Sequence, residues 1–365
     1  MKGKGSFVYL EGTSYEIGYN QGKDLSVIPN IQKMLFEDHK KSKARAEDTL
    51  ENFNMYCPEL IDELQGVSDY FNRDVEELRF IQDSYLMGGG CSLAAITPKM
   101  TVDEKIYVFR TYDLSPNISD MRLCSTNADN KYSHTGFSVS TFGRSDGLNE
   151  YGLCVTFASC GVPVGNHPGM LKAKVDGLNF MVVVRIILEN CQTIEQAIDL
   201  FYELPIASNM NLLIADRFEK VAILEAYNGS KGHTIEESRY SLATNHALLE
   251  KVKIQELSIL KQSVVRYEAM DQYFSNKQLV TKGDMKAILK AEYPKGVSSL
   301  NYEEGFGTVY AALFCISDKT MEFSFGSPMR NEIYQIKVGD NMPNKGFDID
   351  LKNKSYGRDF WDLME

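Results

Sequence analysis

Met87-Gly-Gly-Gly-Cys-Ser-Leu-Ala-Ala-Ile-Thr-Pro98, followed by Ile106-Tyr-Val-Phe-Arg-Thr-Tyr-Asp113, divides the chain into two textures. Before it the apolar residues recur at helical spacing; after it they alternate as in strands. Three glycines end in a cysteine, and glycine lets the backbone adopt strained dihedrals or be approached closely by another group. A thiol just after such a peptide bond is placed to attack the carbonyl of Gly90. Hydrolysis of the resulting thioester would leave Cys91 as a new N-terminus, whose α-amine has an ordinary pKa of about 7.7–8.0. One residue would then carry both nucleophile and base. The same stretch also reads as a loop followed by a buried strand cysteine, since free cysteine is among the most buried residue types.

Working outward on the N-terminal side, residues 6–11, with Phe7-Val-Tyr-Leu10 at their centre, read as a strand. Gly12-Thr-Ser-Tyr-Glu-Ile-Gly-Tyr-Asn-Gln-Gly22 opens a helix capped by Thr13 or Ser14. From Ile31 to Tyr85 apolar residues recur at steps of three and four, ending in an amphipathic helix over 74–86. Residues 1–90 are therefore expected to form a mostly helical segment packed on the rest. Residues 91–365 would form the body, with the whole as one structural domain.

On the C-terminal side strands are expected over 106–112, 137–142 and 153–158. Helices follow over 177–190 and 193–204, the second opened by a capping box of Thr193 with Gln196. The runs 210–216 and 220–226 read as a hairpin, and 240–245 as a short strand. Helices over 254–274 and 282–291 precede strands over 307–316, 320–325 and 332–338. Strands in groups separated by paired helices favour an α+β fold, with stacked antiparallel sheets and helices outside.

Composition narrows the function. Net charge is −11, which disfavours nucleic acid and anionic membrane surfaces as partners. The apolar runs are short and interrupted by charge, so no membrane span is expected. No apolar leader is visible, and a cytoplasmic location is expected. The seven cysteines are odd in number and widely spaced, which argues against a disulfide framework. No CxxC or HExxH occurs, and no P-loop or GxGxxG follows a strand, so neither metal nor cofactor is expected. Cys154 and Cys160 read as core residues, and His167 and His246 as structural.

Gly90-Cys-Ser, Arg110-x-x-Asp113, Asp146-Gly-Leu-Asn-Glu-x-Gly-Leu153, Ala243-Thr-Asn-His246 and Ser263-x-x-Arg266 stand in the order found in N-terminal-nucleophile cysteine amidohydrolases. The chain resembles that family, which includes choloylglycine hydrolases and penicillin V acylases. It is most similar to the branch of acyl-coenzyme A:isopenicillin N acyltransferase. The N-terminal glycine pattern, Gly307-Thr-Val-Tyr310 and Phe325-Gly-Ser-Pro328 extend the resemblance over most of the chain. It implies a four-layer αββα sandwich and autocatalytic cleavage between Gly90 and Cys91. It also implies Cys91 as nucleophile and base, with Arg110 and Asp113 beside it and Arg266 as a further active-site arginine. Asn149, through its backbone N–H, and Asn245, through its side-chain amide, match the oxyanion positions. Thr111, Leu114 and Ser92 depart from the family's usual Asn, Trp and Thr, which leaves the nucleophile intact but bears on substrate choice.

The reading that follows is an autoprocessed cysteine amidohydrolase or acyltransferase acting on linear amides of a small acylated molecule through an acyl-Cys91 intermediate. Its partner is the amide or acyl donor, and a homo-oligomer is left open. The competing reading is an unprocessed protein of the same fold that binds a small molecule without catalysis.

Overall fold

The computed structural model describes residues 2–37, 43–82, 90–162, 164, 170–172, 174–256 and 258–364. Gly88, Gly89, the end of the helix expected over 74–86 and His167 lie outside the described residues.

The strands that build the two sheets are, in chain order, β1 (Lys2–Gly12), β2 (Gly90–Ile96), β3 (Tyr107–Leu114), β4 (Arg122–Ala128) and β5 (His134–Val139). There follow β6 (Asp146–Asn149), β7 (Cys154–Ser159), β8 (Met210–Ala215), β9 (Val221–Tyr227) and β10 (Ser230–Glu236). The last are β11 (Tyr240–Ala243), β12 (Phe306–Cys315), β13 (Thr320–Phe325), β14 (Tyr334–Lys337) and β15 (Gly346–Asp350). The larger sheet runs β10-β9-β8-β7-β6-β5-β4-β1-β15, and the smaller runs β11-β2-β3-β12-β13-β14. The pairs are antiparallel except β1 with β4, which run parallel.

Helices cover both outer faces. The helices α1 (Ser14–Leu25), α2 (Pro58–Phe71), α3 (Phe180–Asn190) and α4 (Ile194–Glu203) lie over the larger sheet. The helices α5 (Lys261–Ser275) and α6 (Lys282–Lys290) lie over the smaller one. The inner faces of the two sheets meet in the main apolar core. The architecture is thus the α+β sandwich expected, with one parallel pair inside it. No helix of the described residues is long and apolar enough to cross a membrane.

Local chemistry accounts for most boundaries. Thr13 caps α1 with a reciprocal box to Glu16, as a Thr-x-x-Glu start should. Thr193 accepts from the Gln196 N–H, but the Gln196 side chain takes the Gln192 N–H instead, so the box is only half made. Two helices differ from expectation. Over 74–86 the chain makes a short 3-10 turn, Val75–Glu77, and a brief helix, Arg79–Gln82. Leu78 is extended there because it bridges to Phe36. The helix expected from Ile254 begins only at Lys261, because Ile259–Leu260 pairs as a strand with Leu363–Met364, a partner about a hundred residues away.

The N-terminal segment is more than a helical layer. β1 sits inside the larger sheet, between β4 and β15. A buried network ties α2 to the body: Glu63 accepts from Arg185 of α3 (2.5 Å) and from Gln21 (2.6 Å), and Gln21 accepts from Arg122 (2.6 Å).

Candidate active site

Strand parity sorts the site into two faces. Cys91, Leu93 and Ala95 pair with Tyr112, Arg110 and Val108, and this set faces the inter-sheet core. Gly90, Ser92 and Ala94 pair with Asp113, Thr111 and Phe109, and this set faces the layer of α5 and α6. Alternation of side chains along a strand requires the split. Arg110 and Asp113, three residues apart, therefore reach Cys91 from opposite faces of β3.

Cys91 is buried and held at three atoms. Its N–H donates to Asn245 Oδ1 (2.8 Å), and its carbonyl accepts from Arg266 Nη1 (2.5 Å). Its Sγ lies 3.2 Å from Arg110 Nη2. Burial pushes the thiol up to about 11, opposed by Arg110, Arg266 and the backbone N–H of Ser159, and reinforced by Asp113. The sulfur is thus a protonated thiol in the intact chain at neutral pH.

Arg110 is itself fixed. Nη1 donates to the Ser145 carbonyl (2.9 Å) and to Asp146 Oδ2 (3.0 Å), and the guanidinium lies over the rings of Tyr112 and Tyr310. Tyr310 donates to the same Asp146 oxygen (2.8 Å). Burial alone would lower the Arg110 pKa, but Tyr310, Cys91 and Asp146 together hold it above its ordinary value.

On the other face, Arg266 of α5 gathers the backbone. Besides the Cys91 carbonyl it donates to Ser92 Oγ (3.0 Å) and to Asn245 Oδ1 (2.8 Å), and its Nε is held by Gln262 (3.0 Å). Asp113 lies 4.0 Å from Arg266 and accepts from Thr308 Oγ1 (2.6 Å). Its second oxygen is buried and has no hydrogen-bond partner among the described residues. Burial pushes this carboxyl up to about 6, against the pull of Arg266, Thr308 and Arg110.

Asn245 joins the two faces. Its Oδ1 serves Cys91 and Arg266, while its Nδ2 donates to the carbonyl and the hydroxyl of Ser159, both at 2.9 Å. Ser263 Oγ accepts the Asn245 N–H (2.8 Å) and meets His246 Nδ1 (2.9 Å), a structural role for that histidine.

Five of the six expected side chains, Cys91, Arg110, Asp113, Asn245 and Arg266, are thus brought together. Asn149 is not. Its N–H donates to the Leu153 carbonyl and its Oδ1 accepts from the Tyr151 and Leu153 N–H groups. Its Nδ2 donates to the carbonyls of Leu188 and Cys191. It builds the β6–β7 turn and docks α3, and every donor it has is spent there. The β7 residue joined to this cluster is instead Ser159, which accepts from Asn245 and whose N–H opposes the rise of the Cys91 thiol; it stands at the other end of that strand, on the order of 16 Å from the turn at strand rise. Sequence reading passed over Ser159, although it is the polar residue ending an apolar strand. Asp146, Thr308 and Tyr310 lay inside the quoted motifs without a role being assigned to them. Gln262 carried no signal of its own.

Residues 100–330 match the model of the family described as Acyl-coenzyme A:6-aminopenicillanic acid acyl-transferase. That span includes Arg110, Asp113, Asn245 and Arg266 and begins after Cys91. Among solved structures, the chain is similar to a penicillin V acylase from Agrobacterium tumefaciens, at 15% identity and TM-score 0.47, covering 68% of this chain and 86% of that one. It is similar to a conjugated bile acid hydrolase from Clostridium perfringens, at 13% and 0.47, covering 73% and 100%. A Caenorhabditis elegans ortholog of N-acylethanolamine-hydrolyzing acid amidase aligns at 11% and 0.42, covering 62% and 93%. No curated protein matches the chain.

Proposed function

Because the chain belongs to the Acyl-coenzyme A:6-aminopenicillanic acid acyl-transferase family, a family of acyl-transferring enzymes, we propose that it is a cysteine amidohydrolase or acyltransferase that first cuts itself between Gly90 and Cys91. The observation that carries this reading is the dressing of one residue: the Cys91 sulfur against Arg110, its N–H on Asn245 and its carbonyl on Arg266. A merely structural cysteine has no need of two buried arginines.

In the proposed sequence the Cys91 sulfur attacks the Gly90 carbonyl carbon. The C–N bond to Cys91 breaks, and the nitrogen takes the proton the thiol gives up. Water then cleaves the thioester, leaving a carboxylate on Gly90 and a free α-amine on Cys91. Arg110 stabilises the developing thiolate, as a neighbouring guanidinium does. The Ser159 N–H is the donor left for the tetrahedral oxygen, a role worth about 10²–10³ in rate, while Asn245, whose Nδ2 is spent on Ser159, holds Ser159 and the Cys91 N–H in place. Asp113, the cross-strand neighbour of Gly90, offers its unpartnered oxygen to the new amine. The amine is then the base that takes the thiol proton when an outside amide is attacked. Residues 1–90 and 91–365 become two chains of one domain, and the acyl group passes from Cys91 to water or to an amine.

Intact mass under denaturing conditions tests this. Wild-type protein held at neutral pH should resolve into two fragments, the larger beginning Cys91-Ser92-Leu93, while Cys91→Ala should remain one chain of 41.2 kDa. A wild-type chain that stays whole, or a Cys91→Ala chain that cuts at the same bond, removes the reading.

A further inference from the structure

β11 ends at Ala243, which pairs with Leu93 of β2. Two residues along β2, at Cys91, the acceptor for the N–H is the Asn245 side chain in place of a strand backbone. The backbone from Thr244 to Leu249 is held in turn by side chains of the larger sheet. Asn211 of β8 donates through Nδ2 to the carbonyls of Thr244 (3.1 Å) and His246 (2.8 Å). Glu225 of β9 accepts the N–H groups of Leu248 (2.7 Å) and Leu249 (2.9 Å), one on each oxygen. Glu256 accepts the N–H of Ala247 (2.8 Å). Asn211 and Glu225 are direct partners across the β8–β9 ladder, so their side chains rise from one face of the sheet, and both are buried. Burial pushes the Glu225 carboxyl up to about 7, against the pull of the Leu249 and Leu248 N–H groups. A buried carboxylate is a costly group with which to hold a loop.

We propose that Asn211 and Glu225 are positioning residues for the chemistry at Cys91: from the larger sheet they clamp the backbone on both sides of Asn245 and so fix its Oδ1 on the Cys91 N–H. This rests on the reading of Cys91 as nucleophile. In self-cleavage the nitrogen that bears this N–H is the leaving group. The sulfur bonds to the Gly90 carbonyl carbon, the carbon–nitrogen bond breaks, and the nitrogen takes the thiol proton. An acceptor fixed on that N–H holds the plane of the Gly90–Cys91 peptide while the sulfur approaches. Afterwards it accepts one hydrogen of the new amine. Neither Asn211 nor Glu225 touches a reacting atom. Their loss acts by letting Asn245 drift, and a misplacement of about 1 Å can cost about 10²-fold in rate.

Glu225→Gln keeps the size of the side chain but turns one of its two acceptors into a donor. Self-cleavage, read as the rate at which the fragment 91–365 appears by denaturing mass spectrometry, should slow by about tenfold or more. A second arm reads the clamp directly in a Cys91→Ala background, which leaves the chain whole. Hydrogen exchange resolved to single residues should show the amide at position 91 exchanging about tenfold faster or more once Glu225→Gln is added. The amides of the β3–β12 pair should keep their protection, because the opening is local. An unchanged cleavage rate overturns the proposal. So does slow cleavage with the amide at position 91 still protected, or with β3 and β12 exposed to the same degree, which is general loosening. Should the Glu225→Gln chain fail to fold, Asn211→Ser takes its place. Its hydroxyl has one hydrogen to give where Asn211 serves two carbonyls, and the same results are expected. If the wild-type chain itself never cuts, the nucleophile reading has failed and takes this one with it. If it cuts and the exchange pattern is missing, only the assignment of Asn211 and Glu225 is wrong.

Discussion

Burial pushes the Asp113 carboxyl up to about 6, whereas an unperturbed aspartate titrates at about 3.9. Between those values the folded chain holds a proton that the unfolded chain has lost, so stability falls as pH rises. The favourable contribution is complete below about pH 3.9 and gone above about pH 6, a swing on the order of 3 kcal/mol. Asp113→Asn removes the charge and keeps the shape. In a Cys91→Ala background, which holds both proteins as single chains, the asparagine variant should resist urea better at pH 8. The advantage should vanish by pH 4. Glu225 and Glu256, also pushed up to about 7 by burial, are present in both proteins and cancel in the difference. With Cys91 restored, the same substitution should slow self-cleavage by more than tenfold. A residue that costs stability and whose loss costs activity is doing chemistry; a variant stabilised at pH 8 with cleavage unchanged would return Asp113 to a packing role.

The helices α1 and α2 cross where both lack a Cβ. A Cβ on Gly18 would meet the Glu63 carbonyl oxygen at 1.8 Å, and one on Gly66 would meet the Tyr15 carbonyl oxygen at 2.2 Å. These obstacles are backbone, which cannot rotate away as a side chain can. The crossing brings Glu63 and Gln21 close enough to bond at 2.6 Å and so sets the network that reaches Arg185. Gly66→Ala should raise intrinsic helix propensity by about 1 kcal/mol yet destabilise the protein by about 1–3 kcal/mol, because overpacking moves the helices apart. Urea unfolding measures the sign; a stabilised variant would mean that the crossing tolerates a methyl group. The pattern Gly12-x-x-Tyr-Glu-Ile-Gly18 could be read as a helix start, since Thr13 and Glu16 state the cap locally. That Gly18 serves a crossing could not be read, because its partner backbone comes from residue 63.

At the scale of the molecule, the proposed cut leaves residues 1–90 woven into the fold. β1 is hydrogen-bonded on both edges, to β4 and β15, and α2 is tied to α3 through the buried Glu63–Arg185 pair. Cleaved protein should therefore run in native size measurement with both fragments together, and separate only when denaturant unfolds the whole. A larger fragment that elutes alone under native conditions would show that the strand and the ion pair do not hold it. By itself the sequence determined what depends on neighbours in the chain. The caps at Thr13 or Ser14 and at Thr193, the β-rich run of β3, and the grouping of strands and helices were legible, and the resemblance to a known family singled out Arg110, Asp113 and Arg266. Tertiary structure decided what depends on partners far along the chain. It brought Arg266 and Asn245 to Cys91, delayed the start of α5 to Lys261 by pairing Ile259–Leu260 with Leu363–Met364, and slid β1 in beside β4. It also put Asn149 in a turn away from Cys91 and Ser159 beside Asn245. Asn149 carries the more suggestive side chain, but its turn lies at the wrong end of β7, and a backbone N–H becomes a donor to the sulfur only through where the fold places it, not through the identity of the residue that bears it.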